Sequence, residues 1–160
     1  MHIETDDLSR PAVAGLLREH LRHMQSLSPP ESVHALDLDA LNTQSRSLWT
    51  AWDNGLLLGC GALKELSPTH GEIKSMRTSD RWRRRGAAQA ILGHIIMVAK
   101  QRNYELLSLE TGNHPDFAAA RHLYLKNHFI YSEPFAGYTH DPHSVFMSLR
   151  LDDSSIQGLY

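Results

Sequence analysis

Two hydrophobic periods alternate along this chain, and each marks a different element. Val13, Leu16, Leu17, Leu21 and Met24 recur at helical spacing after Ser9, a natural N-cap, with Pro11 tolerated in the first turn. His2–Thr5 ahead of them suits a short strand. "SLSPPES" ends the helix, and "LDLDAL" predicts a short second one. "SRSLWTAWDNGLLLGCGAL" predicts a hairpin, because two apolar runs flank Asn54-Gly55, a pair that accepts positive φ. "SPTHG" makes another turn, and "EIKSMRT" alternates as a third strand. Ala88, Ile91, Leu92, Ile95, Ile96 and Ala99 mark one face of a long helix. "YELLSLET" reads as the next strand, and Phe117, Ala120, Leu123 and Tyr124 as one face of a further helix. "FIYSEPF" and "SVFMSLRL" complete the sheet.

The resulting order is β-α-α-β-β-β-α-β-α-β-β, a mixed α/β domain. The sheet is mostly antiparallel. The strands on either side of the long helix lie parallel, because a helical crossover joins them. One domain over residues 1–151 is expected, with 152–160 as a loose tail.

Composition narrows the function. The chain has 160 residues, 41% of them hydrophobic and 21% charged, and a formal net charge of −2. It is therefore not a general polyanion binder, and neither nucleic acid nor membrane is expected as a partner. No apolar run approaches the roughly 20 residues of a membrane helix. The start, "MHIETDDLSR", lacks the apolar centre of a signal peptide. The single Cys60 excludes an internal disulfide framework, and a cytoplasmic setting is expected.

Against this balance, "DRWRRRGAAQAIL" concentrates arginines at the mouth of the long helix. Cations there oppose the helix dipole, so an anionic ligand is the natural compensation. Open N–H groups at a helix start suit phosphate. Gly86 lets the backbone approach a ligand, Ala87 and Ala88 remove bulk, and arginines add charge-assisted bonds. A pyrophosphate cradle is the physical reading. A merely solvated charged helix start and a nucleic-acid contact are the alternatives, and no aromatic stacking platform supports the second.

Arg83-Arg84-Arg85-Gly86-Ala87-Ala88 fits the R/Q-x-x-G-x-G/A pattern of the GCN5-related N-acetyltransferases, the GNAT family. "GEIKSMRTSDRWRRRGAAQAIL" resembles that family's fourth strand, pyrophosphate loop and third helix. "LSLET" resembles its fifth strand, and "AARHLYLKNHF" its following helix with a Leu-Tyr pair. Two departures stand out. Asp116 or Phe117 occupies the place of a frequent asparagine, and His128-Phe129 replaces a usual Gly-Phe.

The resemblance implies the GNAT fold, with its parallel strand pair splayed around acetyl-CoA, the acetyl donor. CoA is then the product. The resemblance places the pantetheine arm along Met76, Arg77 and Thr78. It places the pyrophosphate on the loop of Arg83, Arg84, Arg85, Gly86, Ala87 and Ala88. It also implies Glu72 as a base for the acceptor amine and Tyr124 as an acid or anchor at the CoA sulfur. Glu110 competes for the base role. A hairpin glutamate and a core tyrosine are the plain structural alternatives.

The acceptor side is expected in two segments. Glu31, Ser32 and His34 follow the first helix; Phe135 and Tyr138 lie between the last strands, near Ser144. These suggest a small-molecule amine or an amino-acid-like acceptor. The alternatives are a protein or peptide N-terminal acetyltransferase and a non-catalytic acyl-CoA-binding domain. The pairs His20/His23 and His140/His143 lack a third ligand nearby, so no metal is expected. Cys60 reads as a small buried strand residue. A homodimer is left open.

Overall fold

A computed structural model of the chain describes residues 1–29, 46–79 and 83–151. Its strands are β1 (His2–Asp6), β2 (Arg46–Asp53), β3 (Leu56–Ser67), β4 (His70–Thr78), β5 (Leu106–Gly112), β6 (Ile130–Tyr131) and β7 (Ser144–Arg150). Its helices are α1 (Pro11–Leu27), α2 (Ala87–Gln101) and α3 (Ala118–Lys126), the last entered through a 3-10 turn, Pro115–Phe117. The strands form one seven-stranded sheet in the order β1-β2-β3-β4-β5-β7-β6. Only β4 and β5 pair in parallel, as the helical crossover requires.

The elements follow from local chemistry. Asn54 and Gly55 turn the β2–β3 hairpin with φ of 50° and 77°. "LLLGCGAL" is almost continuously apolar because β3 is covered on both faces. On one face α2 buries Ala87, Ile91, Leu92, Ile95 and Ala99 in a core shared with Trp49, Leu63, Ile73, Tyr124 and Phe129. On the other, Val13, Leu16 and Leu17 of α1 pack with Leu48, Trp52, Cys60 and Ala62.

β4 is irregular where it matters. Its register against β3 shifts between Ala62↔Lys74 and Cys60↔Arg77, and Ser75 takes a φ of 55°. This is a β-bulge, which re-aims the side chains that follow it. Met76 packs toward the α2 core, whereas Arg77 turns to α1. The Cys60 thiol donates to the Ser75 carbonyl at 3.4 Å. Burial pushes that thiol up to about 12, so it remains a donor. The parallel ladder ends at Ile73↔Leu109, while β5 continues along β7 to Gly112↔Ser144. Beyond Ile73 the two strands part.

Some boundaries differ from the sequence expectation. α1 starts at Pro11 with Arg10 as N-cap, not Ser9. The Arg10 guanidinium binds Asp6 at 2.7 Å, pairs with Glu4 and lies over the Trp52 ring, so ion pairs hold the helix entry. The strand expected over "FIYSEPF" is only Ile130–Tyr131. Pro134 has no N–H for a ladder. Phe135 instead folds against His70, Tyr138 and Phe146. The helix expected at "LDLDAL" and the tail 152–160 lie outside the described residues.

Gly61, opposite the bulge, lets α2 approach the sheet. An added Cβ would lie 2.6 Å from Ile91 Cγ2 and 2.6 Å from Met76 Sδ. Gly61→Ala should therefore destabilise the fold by about 1–3 kcal/mol. Urea denaturation checks this, and an unchanged midpoint would show that α2 can yield.

Candidate active site

The parting of β4 and β5 opens a cleft of about 450 Å³ on the side where α2 begins. Met76, Thr78, Arg83, Arg84, Gly86, Ala87, Ala88 and Tyr124 line it. Ser79 N–H bonds the Leu58 carbonyl at 2.9 Å, so strand alternation turns the backbone groups of Met76 and Thr78 toward the opened edge. At the mouth, Gly86 is the N-cap of α2 with φ 80°, no side chain caps the helix, and its first turn holds no acid. Its opening amides are available to an anion. Arg83, Arg84 and Arg85 are exposed beside them. Asp53 approaches Arg85 at 3.6 Å and the terminal amine of Met1 at 3.7 Å, which ties the arginine loop to the β2–β3 hairpin. Across the mouth, Gln89 and Asn127 exchange amide hydrogen bonds of 3.0 and 2.9 Å, fixing α2 against α3.

A second, smaller pocket of about 90 Å³ lies where the cleft meets the α1 face. Glu72, Lys74, Glu110, His20, Tyr124 and Tyr138 are among its walls. Tyr124, Met76, His20, Phe117 and Ala120 line both cavities, so the two meet there.

The carboxylates of this pocket differ. Glu72 is buried, accepts the Tyr138 hydroxyl at 2.6 Å and lies 3.4 Å from Lys74 Nζ. Lys74 also donates to the Tyr138 oxygen at 3.1 Å. Burial pushes Glu110 up to about 7, helped by the Glu72 and Asp141 carboxylates and opposed by Ser144 and Lys74. Burial also raises the Tyr124 phenol, whose hydroxyl has no hydrogen-bond partner among the described residues. His20 Nδ1 likewise has none. Burial and the Arg77 charge push that imidazole down to about 4, so it is neutral at physiological pH.

A model of the acetyltransferase (GNAT) family matches residues 14–129. The chain belongs to the GNAT family. It is 53% identical over 151 residues to the uncharacterized N-acetyltransferase YsnE of Bacillus subtilis, covering 94% of this chain and 100% of that protein. It is 49% identical over 153 residues to the uncharacterized N-acetyltransferase YedL of Escherichia coli, covering 96% of each. Its fold matches a GNAT family acetyltransferase from Elizabethkingia anophelis, solved with acetyl-CoA bound. The TM-score is 0.66 at 18% identity, over 94% of this chain and 97% of that one.

As a GNAT N-acetyltransferase the protein uses acetyl-CoA as its cosubstrate. The uncapped α2 start, the arginine loop and the open β4 edge fit a pyrophosphate followed by an extended arm. Where the family has Gly-Phe, His128 takes the positive φ of 74° that glycine adopts without strain, and Asn127 Nδ2 donates to the Leu123 carbonyl at 2.8 Å.

The expected residues distribute unevenly. Glu72, Glu110, Tyr124 and Tyr138 come together around the small pocket. Met76, Thr78, Arg83, Arg84, Gly86, Ala87 and Ala88 line the cleft. The Arg77 side chain turns to α1, where it donates to Glu19 at 2.9 Å and meets His23 Nδ1 at 3.1 Å. Phe135 stands behind Tyr138, with ring centroids 5.0 Å apart. Glu31, Ser32 and His34 lie outside the described residues. Lys74 and His20 were not anticipated as pocket residues. Lys74 was legible, because it follows Glu72 by two on an alternating strand and so shares its face.

A carboxyl whose folded value is above its ordinary 4.5 holds its proton more tightly folded than unfolded. Glu110 therefore costs stability as pH rises through that interval. Glu110→Gln removes the cost, so its melting temperature should gain on wild type between about pH 5 and about pH 8. A constant difference across that range would contradict the buried environment of Glu110.

Proposed function

We propose that this acetyltransferase transfers the acetyl group to the amine of a small, non-peptide acceptor. The observation that carries this reading is the junction at Tyr124, where the long donor cleft meets a small pocket holding Glu72 and Glu110. A pocket of about 90 Å³ suits a compact head group rather than a stretch of peptide backbone.

In this reading the α2 amides and the arginine loop bind the pyrophosphate, and the Met76 and Thr78 backbone groups hold the arm. Bound acetyl-CoA supplies an activated acetyl group and a thiol leaving group. An acceptor amine with a pKa near ~10 arrives protonated and must lose a proton before attack. Glu110 is the carboxylate poised to take it, since a base works best with a value near the working pH. Glu72, engaged by Tyr138 and Lys74, orients that wall of the pocket and is the second carboxylate able to share the role. The Tyr124 hydroxyl keeps its proton at any physiological pH and is the donor for the leaving sulfur. All of the residues given these roles lie within the expected domain, residues 1–151.

Thiol release from acetyl-CoA, measured over small amines, amino acids and short peptides, tests the reading. Small acceptors should turn over, and peptides offering only a free N-terminus should not. The reverse pattern would favour an N-terminal acetyltransferase, and no thiol release with any of these acceptors a non-catalytic acyl-CoA-binding domain. Tyr124→Phe should lower kcat on the order of a hundredfold, with acetyl-CoA affinity and melting temperature nearly unchanged. Glu110→Gln should abolish the rise of kcat/KM through about pH 7. If Glu72→Gln does so instead, the base is Glu72.

A further inference from the structure

The small pocket carries an imbalance of charge that bears on its acceptor, and the inference from it rests on the small-acceptor reading above. Among its described walls the charged side chains are Glu72, Lys74 and Glu110. Lys74 is already matched: its ammonium lies 3.4 Å from Glu72 Oε2 and donates to the Tyr138 hydroxyl at 3.1 Å. The neighbouring imidazole, His20, is neutral. Glu110 is left over, with Asp141 close enough to act on it. Arg77 is turned to Glu19 and lines the donor cleft, not this pocket. Arg46 acts on the Tyr138 hydroxyl but does not line the pocket.

Outside the described residues the sequence holds one lysine or arginine, Arg81. Residues 30–45 include Glu31, Asp37 and Asp39 and no lysine or arginine. Residues 152–160 include Asp152 and Asp153 and no basic residue.

We infer that the acceptor is a small cationic primary amine with no carboxylate on the carbon that carries the nitrogen: an amine rather than the corresponding α-amino acid. Its ammonium is received by Glu110. Its apolar part has Met24, Phe117 and the Tyr138 ring for walls. A carboxylate on the same carbon would be brought to roughly 4–5 Å from Glu110, with no unmatched lysine or arginine among the described walls of the pocket to receive it. At an effective dielectric between bulk water and the protein surface, that repulsion lowers binding by about fivefold to several hundredfold.

Matched pairs that differ only in the carboxylate provide the test. With the 160-residue chain and acetyl-CoA, thiol release is measured for tyramine against tyrosine and for histamine against histidine. The amine of each pair should have a kcat/KM at least about tenfold higher, and the gap should narrow as ionic strength rises. Equal or better use of tyrosine and histidine would overturn this inference and leave the small-acceptor reading standing. Turnover of other small acceptors that carry an α-carboxylate, with tyramine and histamine idle, would do the same. Turnover of peptides alone, with all four compounds idle, would overturn both.

Discussion

The parting of β4 from β5 beyond the Ile73↔Leu109 pair is the constraint on which the site depends. Parallel strands normally stay paired and buried along their length. Here one residue, Ser75, adopts a left-handed conformation that costs an ordinary side chain roughly 1–2 kcal/mol. The Cys60 thiol holds its carbonyl, and Gly61 opposite leaves room for Met76 and Ile91. The bulge ends the useful register with β5 and frees backbone groups at the edge of β4. It also sends neighbouring side chains to different faces. The opening therefore connects the two sides of the sheet, which a continuous sheet would seal.

Each side of that opening has its own electrostatics. The donor side is cationic, with exposed arginines around an uncapped helix start. The small-pocket side carries Glu72 and Glu110 against the single cation Lys74 among its described walls, and burial pushes Glu110 up to about 7. Tyr124 stands between them, with its hydroxyl unbonded among the described residues and its ring fixed against Phe129 at 5.7 Å. In the proposed reading, these opposite signs sort the two substrates before any chemistry, and the small pocket limits what the anionic side takes.

Much of this was legible in the sequence because it rests on local rules. Asn54-Gly55 announced its hairpin, the period of Ile91, Leu92 and Ile95 announced α2, and the crossover fixed the parallel pair. The arginine–glycine–alanine run marked the start of α2, which is uncapped, and its reading as an anion cradle is part of the proposal. What escaped depends on tertiary contacts. Ser75 carries no local sign of a bulge, because serine rarely adopts that conformation unaided. The direction of Arg77 followed from the bulge and could not be read without it. The unequal surroundings of Glu72 and Glu110 are set by Tyr138, Lys74 and Asp141, which come from distant parts of the chain. The brevity of β6 was partly readable from Pro134, whereas the fold of Phe135 onto the aromatic cluster was not.

The central claim is that the opened edge of β4 and the start of α2 form one continuous donor site ending at the acidic pocket. Amide chemical-shift mapping during titration with acetyl-CoA tests it most directly. The largest shifts should fall at Met76, Thr78 and Arg84–Gln89 and extend to Glu110 and Tyr124. The β1–β2 edge, apart from the Asp53 contact to the arginine loop, should stay still. Shifts that gather elsewhere, or that stop at the arginine loop without reaching Met76 and Tyr124, would contradict the account.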